Sequence, residues 1–169
     1  MDMCLNTQYP KLLTPQLSLI TLTPQHAAQM ALIESQAHSH PMSEANLADC
    51  FGHLYRVFGL MLTGDDNKQT LIGFTIVQQI IDEVTLMDIC LSPAQQGHGY
   101  GKLMLDEVVQ TAKGAAAVVV MLEVRESNLA ARSLYQKSGF VESGRRKAYY
   151  PIEGGAEDAI LMDLVIHAE

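Results

Sequence analysis

The chain has 169 residues, 48% of them hydrophobic and 18% charged, with a formal net charge of −8 at pH 7. This composition excludes a disordered chain and predicts a single folded domain with a buried core. The acidic balance disfavours nucleic-acid binding and favours a basic partner, and only Arg145, Arg146 and Lys147 form a basic cluster.

Targeting and redox signals are weak in this sequence. Residues 12–33 carry no Asp, Glu, Lys or Arg, but Pro15, Pro24 and several Gln or His residues interrupt them, so we expect no membrane span. The start Met1-Asp2 lacks the basic region of a signal peptide. Three widely spaced cysteines predict no disulfide framework, so we expect a cytoplasmic protein.

Hydrophobic periodicity predicts an alternation of strands and helices after a lead-in over residues 1–15, and a single domain over 16–169. In the helix over 24–38, the stripe includes Ala27, Met30, Ala31 and Ile33–Glu34, and Ser43 is expected to cap the next helix. Residues 116–124 are expected to form a strand buried on both faces. Gly114 and Gly139 are expected to end their helices. Strands are predicted at 17–23, 57–63, 70–81, 83–92, 116–124, 140–150 and 158–167, and helices at 24–38, 43–53, 101–114 and 128–139.

Residues 95–104, QQGHGYGKLM, place three glycines at alternate positions just before a helix. A glycine-rich turn between a strand and a helix can bind phosphate through free N–H groups and the helix dipole. The spacing fits neither a P-loop nor a dinucleotide-binding fingerprint. By itself, this stretch leaves phosphate binding and a plain glycine-rich turn equally open.

Two motifs together resemble the GCN5-related N-acetyltransferase (GNAT) superfamily. The first is Gln96-Gly97-His98-Gly99-Tyr100-Gly101, similar to the superfamily's Gln/Arg-x-x-Gly-x-Gly/Ala pattern. The second is Asn128-x-x-Ala131-x-x-Leu134-Tyr135-x-x-x-Gly139-Phe140, at the expected distance. The resemblance implies a mixed α/β fold, with a mostly antiparallel twisted sheet that is splayed at an acetyl-CoA site and flanked by helices.

Longer segments between residues 30 and 164 resemble the ribosomal-protein-alanine N-acetyltransferase (RimI) family. They include IESQAHSHPMSE, LEVRESNLAARSLYQKSGF and RRKAYYPIEGGAEDAILM. That resemblance implies acetyl transfer from acetyl-CoA to the N-terminal alanine of a small-subunit ribosomal protein. The chain departs from the family pattern at Met42, where the family usually has Trp, and at Gly97 and His98, which replace a more basic pair.

The resemblance also implies roles for individual residues. Glu123 is the expected general base, and Tyr135 the expected general acid that protonates the departing thiolate. The remaining expected contacts to acetyl-CoA are Ile89, Cys90, Leu91, Gly97, His98, Gly99, Tyr100, Gly101, Lys102 and Asn128.

Each assignment has a structural alternative. Glu123 could instead face the surface or pair with Arg125, and Tyr135 could be a core residue. Asn128 is also a good N-cap, and Cys90 is expected to be a small apolar strand residue rather than a nucleophile. The six histidines show no zinc spacing, so no metal is expected.

The acceptor remains open at this level. Glu153, Glu157 and Asp158 lie near Tyr149 and Tyr150 and form either a solvated acidic loop or a face that attracts a basic peptide. A small-molecule amine or a Lys side chain could replace the protein N-terminus. A non-catalytic acyl-CoA-binding module is also possible, although it would need neither Glu123 nor Tyr135.

Overall fold

A computed structural model describes residues 10–167 and shows eight β-strands and four α-helices. The strands are β1 Lys11–Leu12, β2 Leu17–Thr21, β3 Tyr55–Thr63, β4 Gln69–Ile80, β5 Glu83–Leu91, β6 Val119–Arg125, β7 Val141–Ile152 and β8 Gly155–Val165. The helices are α1 Ala27–Ala37, α2 Glu44–Ala48, α3 Tyr100–Gly114 and α4 Leu129–Lys137. All the strands and helices predicted from the sequence are present.

The strands form one sheet in the order β1-β2-β3-β4-β5-β6-β8-β7. Every neighbouring pair among the described strands is antiparallel except β5 and β6. Helix α3 supplies the crossover connection that a parallel pair needs. This confirms the expected mixed fold with a mostly antiparallel sheet.

The sheet opens between β5 and β6. Their pairing covers only Glu83–Leu86 against Val119–Leu122, although both strands continue beyond it. On the other side of β5, Ile76 faces Asp88 and Val77 faces Leu86, so Met87 is the extra residue of a β-bulge. The bulge bends β5 where the two strands part, and this is the expected splay.

Two apolar clusters cover the two faces of the sheet. Ile76 and Val77 are neighbours on β4 but belong to different clusters, because successive side chains on a strand point to opposite faces. Helix α3 packs Met104 and Leu105 into one cluster, and α1 packs Met30 into the other. The clefts described below lie between these two layers of helices.

Strand β6 differs in burial from the expectation. Val120, Leu122 and Val124 are buried, whereas Met121 and Glu123 on the opposite face are only partly covered. The expected burial of both faces was therefore wrong. The half-covered face leaves the Glu123 carboxylate accessible.

The helix ends agree with the sequence prediction except for the residue that is left-handed after α3. Ser43 caps α2 by accepting the Asn46 N–H at 3.2 Å, and Gly139 follows α4 with φ of +93°, both as predicted. Gly114 is the last residue of α3, as predicted, but Ala116 rather than this glycine adopts the left-handed conformation, with φ of +54°. The Ala117 N–H then bonds the Ala112 carbonyl at 3.0 Å, which closes the helix end without a glycine.

The sheet begins inside the segment that was expected to be a loose lead-in. Lys11 and Leu12 pair with β2, and the Lys11 ammonium lies 2.6 Å from the buried carboxylate of Glu107 on α3. The rest of the lead-in up to residue 9 lies outside the described residues. Within residues 10–167, no helix is long and apolar enough to cross a bilayer.

Candidate functional site

A cleft of about 430 Å³, here called the glycine-loop cleft, lies beside the open end of β5. The loop after β5, the start of α3 and helix α4 form its other walls. Its lining includes most of the predicted cofactor contacts: Ile89, Cys90, Leu91, Gly97, Gly99, Gly101, Lys102 and Asn128.

The glycines in the loop differ in backbone conformation and in surroundings. Gly97 and Gly99 have φ of +80° and +83°, a left-handed conformation that other residues adopt only with strain. Gly101 is helical, and a Cβ there would lie at ordinary contact distance from Leu91 and Leu134. The Gln96 amide donates to the Leu91 carbonyl at 3.2 Å, which ties the loop to the end of β5.

The first turn of α3 faces this cleft. Gly99 is the N-cap, and Tyr100, Gly101 and Lys102 follow it. The first N–H groups of a helix have no intrahelical acceptor, so they can bind an anion together with the helix dipole. The Lys102 ammonium already pairs with Asp106 at 2.6 Å.

Two predicted cofactor contacts do not line the cleft with their side chains. The rings of His98 and Tyr100 stack on each other with centroids 5.7 Å apart. Neither residue lines the cleft, so their predicted roles in cofactor binding stay predictions.

At the end of β5, backbone groups rather than side chains are available to bind a ligand. Residues Met87–Leu91 have no partner on β6, so their edge can accept an extended ligand as an added strand. The Cys90 side chain is buried, and burial raises the pKa of its thiol, with Glu34 and Asp88 adding to the effect. The thiolate is thus disfavoured, in agreement with the expected apolar role of Cys90.

Tyr135 lies at the inner end of the glycine-loop cleft. It is buried on α4 and its ring packs against Phe140 with centroids 5.8 Å apart. Burial raises the pKa of the Tyr135 phenol, and the nearby Asp88 and Tyr150 raise it further. The Asn128 side chain caps α4 by accepting the Ala131 N–H at 3.1 Å and also lines the cleft, so its two predicted roles are compatible.

A second cleft of about 240 Å³, here called the carboxylate cleft, adjoins the first. Its lining contains three carboxylates, those of Glu34, Asp88 and Glu123. Residues His38, Ile89, Asn128 and Tyr135 line both clefts. The two predicted catalytic residues, Glu123 and Tyr135, are therefore brought together in one cleft.

Glu123 pairs with a different arginine from the one considered above. Its Oε1 lies 2.9 Å from Nη2 of Arg146 on β7. Arg125 instead donates to Glu157 at 2.9 Å and stacks over the Tyr150 ring at 4.4 Å. The alternative pairing with Arg125 was wrong because side chains two residues apart on β6 reach different partners on β7 and β8.

Several charged side chains of the β7–β8 hairpin form hydrogen bonds or ion pairs within the protein. Glu157 binds Arg125 and the Ser127 N–H, and Asp158 accepts the Ala148 N–H at 2.9 Å. Arg145 from the basic cluster pairs with Glu126 and Glu142. The acidic hairpin thus offers less free charge to a basic peptide than its composition suggests.

The sequence interpretation missed Glu34 and Asp88 as site residues. Glu34 is buried on α1, and its Oε2 accepts the Met42 N–H at 3.1 Å. Burial raises the pKa of Asp88 well above its usual range, and the adjacent Glu34 raises it further. A carboxylate on the apolar stripe of α1 was the signal that could have identified Glu34, whereas nothing in the pattern of β5 marks Asp88.

The fold also assembles ligand atoms that the sequence keeps apart. One ligand atom each from Glu34, His38 and Cys90 lies within 4.8 Å of the others. His38 follows α1 one turn after Glu34, and Cys90 comes from β5. The histidine spacing alone could not reveal this group, because only one of its members is a histidine.

Comparison with known proteins identifies close relatives of this chain. A sequence model of the "Acetyltransferase (GNAT) family" matches residues 26–140. A "[Ribosomal protein bS18]-alanine N-acetyltransferase" of Salmonella typhimurium is 40% identical over 134 residues, 79% of this chain and 87% of that protein. The enzyme of the same name from Haemophilus influenzae is 44% identical over 131 residues, 77% of this chain and 86% of that protein.

The fold comparison agrees with the sequence comparison. The crystal structure of the ribosomal-protein-S18-alanine N-acetyltransferase from Escherichia coli matches with a TM-score of 0.82 and 34% sequence identity. The match covers 90% of this chain and 96% of that one.

Proposed function

Because the chain belongs to the acetyltransferase (GNAT) family, we propose that it transfers the acetyl group of acetyl-CoA to the N-terminal alanine of ribosomal protein bS18. The relatives that carry this activity in their names match over more than three quarters of the chain. The observation that carries the proposal is the meeting of the two clefts at Tyr135.

The glycine-loop cleft is the proposed donor site. The N–H groups of the loop and of the first turn of α3 would bind the pyrophosphate, with Gly97, Gly99 and Gly101 allowing close approach. The unpaired edge of β5 from Ile89 to Leu91 would hold the pantetheine arm, which brings the thioester toward Tyr135.

The carboxylate cleft is the proposed acceptor site. An α-amino group has a pKa of about 7.7–8.0, so near neutral pH it needs only modest help to lose a proton. Glu123 is the proposed base, acting directly or through one water molecule. Its ion pair with Arg146 keeps the carboxylate oriented at the wall of the cleft.

Tyr135 is the proposed acid. A raised pKa keeps its phenol protonated at neutral pH, which is the form that can donate to sulfur. In the reaction the amine nitrogen forms a bond to the thioester carbon and the carbon–sulfur bond breaks. Glu123 takes the proton from nitrogen and Tyr135 gives a proton to the leaving thiolate, so the charges balance.

The proposed acceptor also defines the setting in which the protein works. A ribosomal-protein substrate places the enzyme in the cytoplasm, with a basic protein N-terminus as its partner and with no need to bind nucleic acid or membrane directly. The net charge of −8 favours the approach of such a partner.

The test is coenzyme A release on mixing the protein with acetyl-CoA and a basic peptide that begins with alanine. The control is the same peptide with a blocked N-terminus. We expect thiol release with the free peptide only. Release with both peptides would point to a Lys side chain, and silence with both, while acetyl-CoA still binds, would favour a small-molecule acceptor or a binding module.

Two variants test the catalytic roles. Glu123→Gln and Tyr135→Phe should each lower kcat by about 10²–10⁴-fold, the usual contribution of a positioned acid or base, and leave acetyl-CoA affinity nearly unchanged. Glu153→Gln on the exposed hairpin and Tyr55→Phe, which lines neither cleft, are the matched controls. Unchanged turnover in both test variants would contradict the assignment.

A further inference from the structure

The junction of the two clefts contains buried acidic oxygens without hydrogen-bond donors. Among the described residues, none donates a hydrogen bond to Oε1 of Glu34 or Oδ2 of Asp88, although both atoms are buried. Glu34 is 2% exposed. A buried carboxylate oxygen is costly without a proton, a donor or a cation, so Oε1 of Glu34 is suited to a positively charged ligand, whereas the raised pKa of Asp88 favours its neutral form.

The orientation of Glu34 leaves one oxygen available to such a ligand. Oε2 is occupied by the Met42 N–H, whereas Oε1 points to the C-terminal end of α1, where Nε2 of His38 lies 3.5 Å away. The Cys90 sulfur completes the group, with all three ligand atoms within 4.8 Å of one another. The His38 side chain is 41% exposed, so solvent reaches the group from the clefts.

We propose that Glu34, His38 and Cys90 bind a zinc-class divalent cation at the junction of the glycine-loop and carboxylate clefts. Glu34 lies on α1, His38 directly follows that helix, and Cys90 lies on β5, which packs against α1. The proposal is independent of the acetyl-transfer function, because metal binding can be measured without any acyl donor.

The donor types select the cation. A thiolate, an imidazole and one carboxylate are ligands that zinc prefers, whereas Mg²⁺ and Ca²⁺ take oxygen ligands almost exclusively. Three protein ligands leave a fourth tetrahedral position open. Ligand atoms around zinc lie roughly 3.4 Å apart, given bonds of about 2.0–2.3 Å. The three atoms here lie within 4.8 Å of one another, so binding requires the side chains to move closer.

Binding exchanges a proton for the metal. The Cys90 sulfur forms a bond to the cation and its S–H proton goes to solvent, while His38 and Glu34 each contribute one ligand atom. The positive charge of the ion offsets the cost of ionising a buried thiol, since a coordinating thiol is deprotonated outright.

The position predicts competition with the donor. Cys90 lines the glycine-loop cleft, Glu34 lines the carboxylate cleft and His38 lines both. An ion at this point would occupy the space between the clefts. We therefore expect acetyl-CoA and the cation to weaken each other's binding by the same factor.

The experiment uses Co²⁺ as a spectroscopic substitute for zinc on the full-length protein without a histidine tag. We expect one Co²⁺ per chain, a near-ultraviolet thiolate-to-cobalt absorption band, release of one proton, and displacement by Zn²⁺. Cys90→Ala should abolish the thiolate band, whereas a Cys4→Ala/Cys50→Ala double variant should retain it. A band that persists in Cys90→Ala, or no stoichiometric binding, would overturn the proposal.

Cys90→Ala could disturb packing because Cys90 is buried, so a second pair of variants tests the site at an exposed ligand. His38→Ala changes a partly exposed side chain and should weaken Co²⁺ binding about tenfold or more, the scale known for loss of even outer-shell partners. His40→Ala, which lines the carboxylate cleft outside the ligand group, should leave the affinity unchanged. Equal affinities in these two variants would count against His38 as a ligand.

Discussion

Gly99 and Gly101 are two positions apart but place different demands on the chain. A Cβ at Gly99 would touch nothing within 4 Å, so the demand there is its backbone φ of +83°. A Cβ at Gly101 would lie at ordinary contact distance, 3.4 Å from Leu134 and 3.7 Å from Leu91, on a helical backbone. Backbone conformation requires glycine at the first position, whereas the second position has room for a methyl group.

This contrast gives a prediction about stability. Gly99→Ala should lower the free energy of unfolding by about 1 kcal/mol because of left-handed strain. Gly101→Ala should leave it unchanged or raise it by up to about 1 kcal/mol, because alanine is the better helix former. Denaturant unfolding of both variants checks this, and equal losses would show that φ is not the deciding factor.

Individual site residues could be predicted where a motif or the wider family resemblance marked them. Gly97, Gly99 and Asn128 stand in recognisable patterns, and the structure places all three at the glycine-loop cleft. The Glu123–Arg146 ion pair joins residues of β6 and β7, which β8 separates in the sheet, and no spacing in the sequence encodes it. Residues whose role depends on partners far away in the sequence can be recognised only once the structure is known.

At the scale of elements, the β7–β8 hairpin pairs with β6 in the sheet, and one of its side chains adds contacts to two neighbouring segments. Glu157 on β8 binds Arg125 at the end of β6 at 2.9 Å and the Ser127 N–H before α4 at 3.0 Å. The hydrogen bond from Ser127 and then the contact with Arg125 lower the pKa of Glu157. Arg125 in turn supports Tyr150 at the wall of the carboxylate cleft.

We predict an acid-dependent effect of Glu157→Gln. A carboxylate with a lowered pKa in the fold stabilises the protein above its unfolded pKa of about 4.3, and that contribution is lost as the pH falls through the folded value. The variant should therefore be less stable than the natural protein at pH 7, with the difference shrinking below about pH 4. Denaturant midpoints across this range test it, with Glu153→Gln as control; a constant difference would contradict it.

Helices and strands with a strong hydrophobic periodicity could be predicted from the sequence, and those with a weak periodicity could not. Helix α3 follows its apolar stripe, with Met104, Leu105, Val108 and Ala112 all buried. Strand β1 has two residues and no detectable alternation, so it was absorbed into the lead-in. The bulge at Met87 arises from the pairing of β5 with β4. Methionine is not a residue type that indicates a bulge or turn, so the sequence did not predict it.

At the scale of the whole molecule, the sheet is held together weakly at its centre. β5 and β6 share only four paired positions, and the glycine-loop cleft extends from β5 to α4, which follows β6 in the chain. A ligand in that cleft would contact both sides of the gap and bind only the folded chain. Its binding energy would then add directly to the free energy of unfolding.

We predict that acetyl-CoA at one hundred times its Kd stabilises the fold by about 2.7 kcal/mol. For a chain of this length the midpoint of thermal unfolding should rise by about 5–11 °C. Adenosine 3′,5′-bisphosphate, which lacks the pantetheine arm, should give a smaller rise at the same concentration. Thermal scans decide this, and equal shifts would show that contacts along β5 add nothing.

The strand order of the sheet is the part least accessible to pattern reasoning. Periodicity identifies the strands, but the exchange of β7 and β8 at the edge and the parallel β5–β6 pair depend on contacts across the fold. The resemblance of two spaced motifs to a known family implied a mostly antiparallel, splayed sheet but no strand order. Without it, the pattern of strands and helices fits several mixed sheets.

The wall shared by the two clefts limits how this protein can diverge. A substitution at Tyr135, Asn128, Ile89 or His38 touches both clefts, so it cannot alter one substrate without disturbing the other. Met42, Arg125 and Tyr150 line the carboxylate cleft alone. New acceptors are therefore expected to arise through changes at these positions, while the shared wall is inherited unchanged.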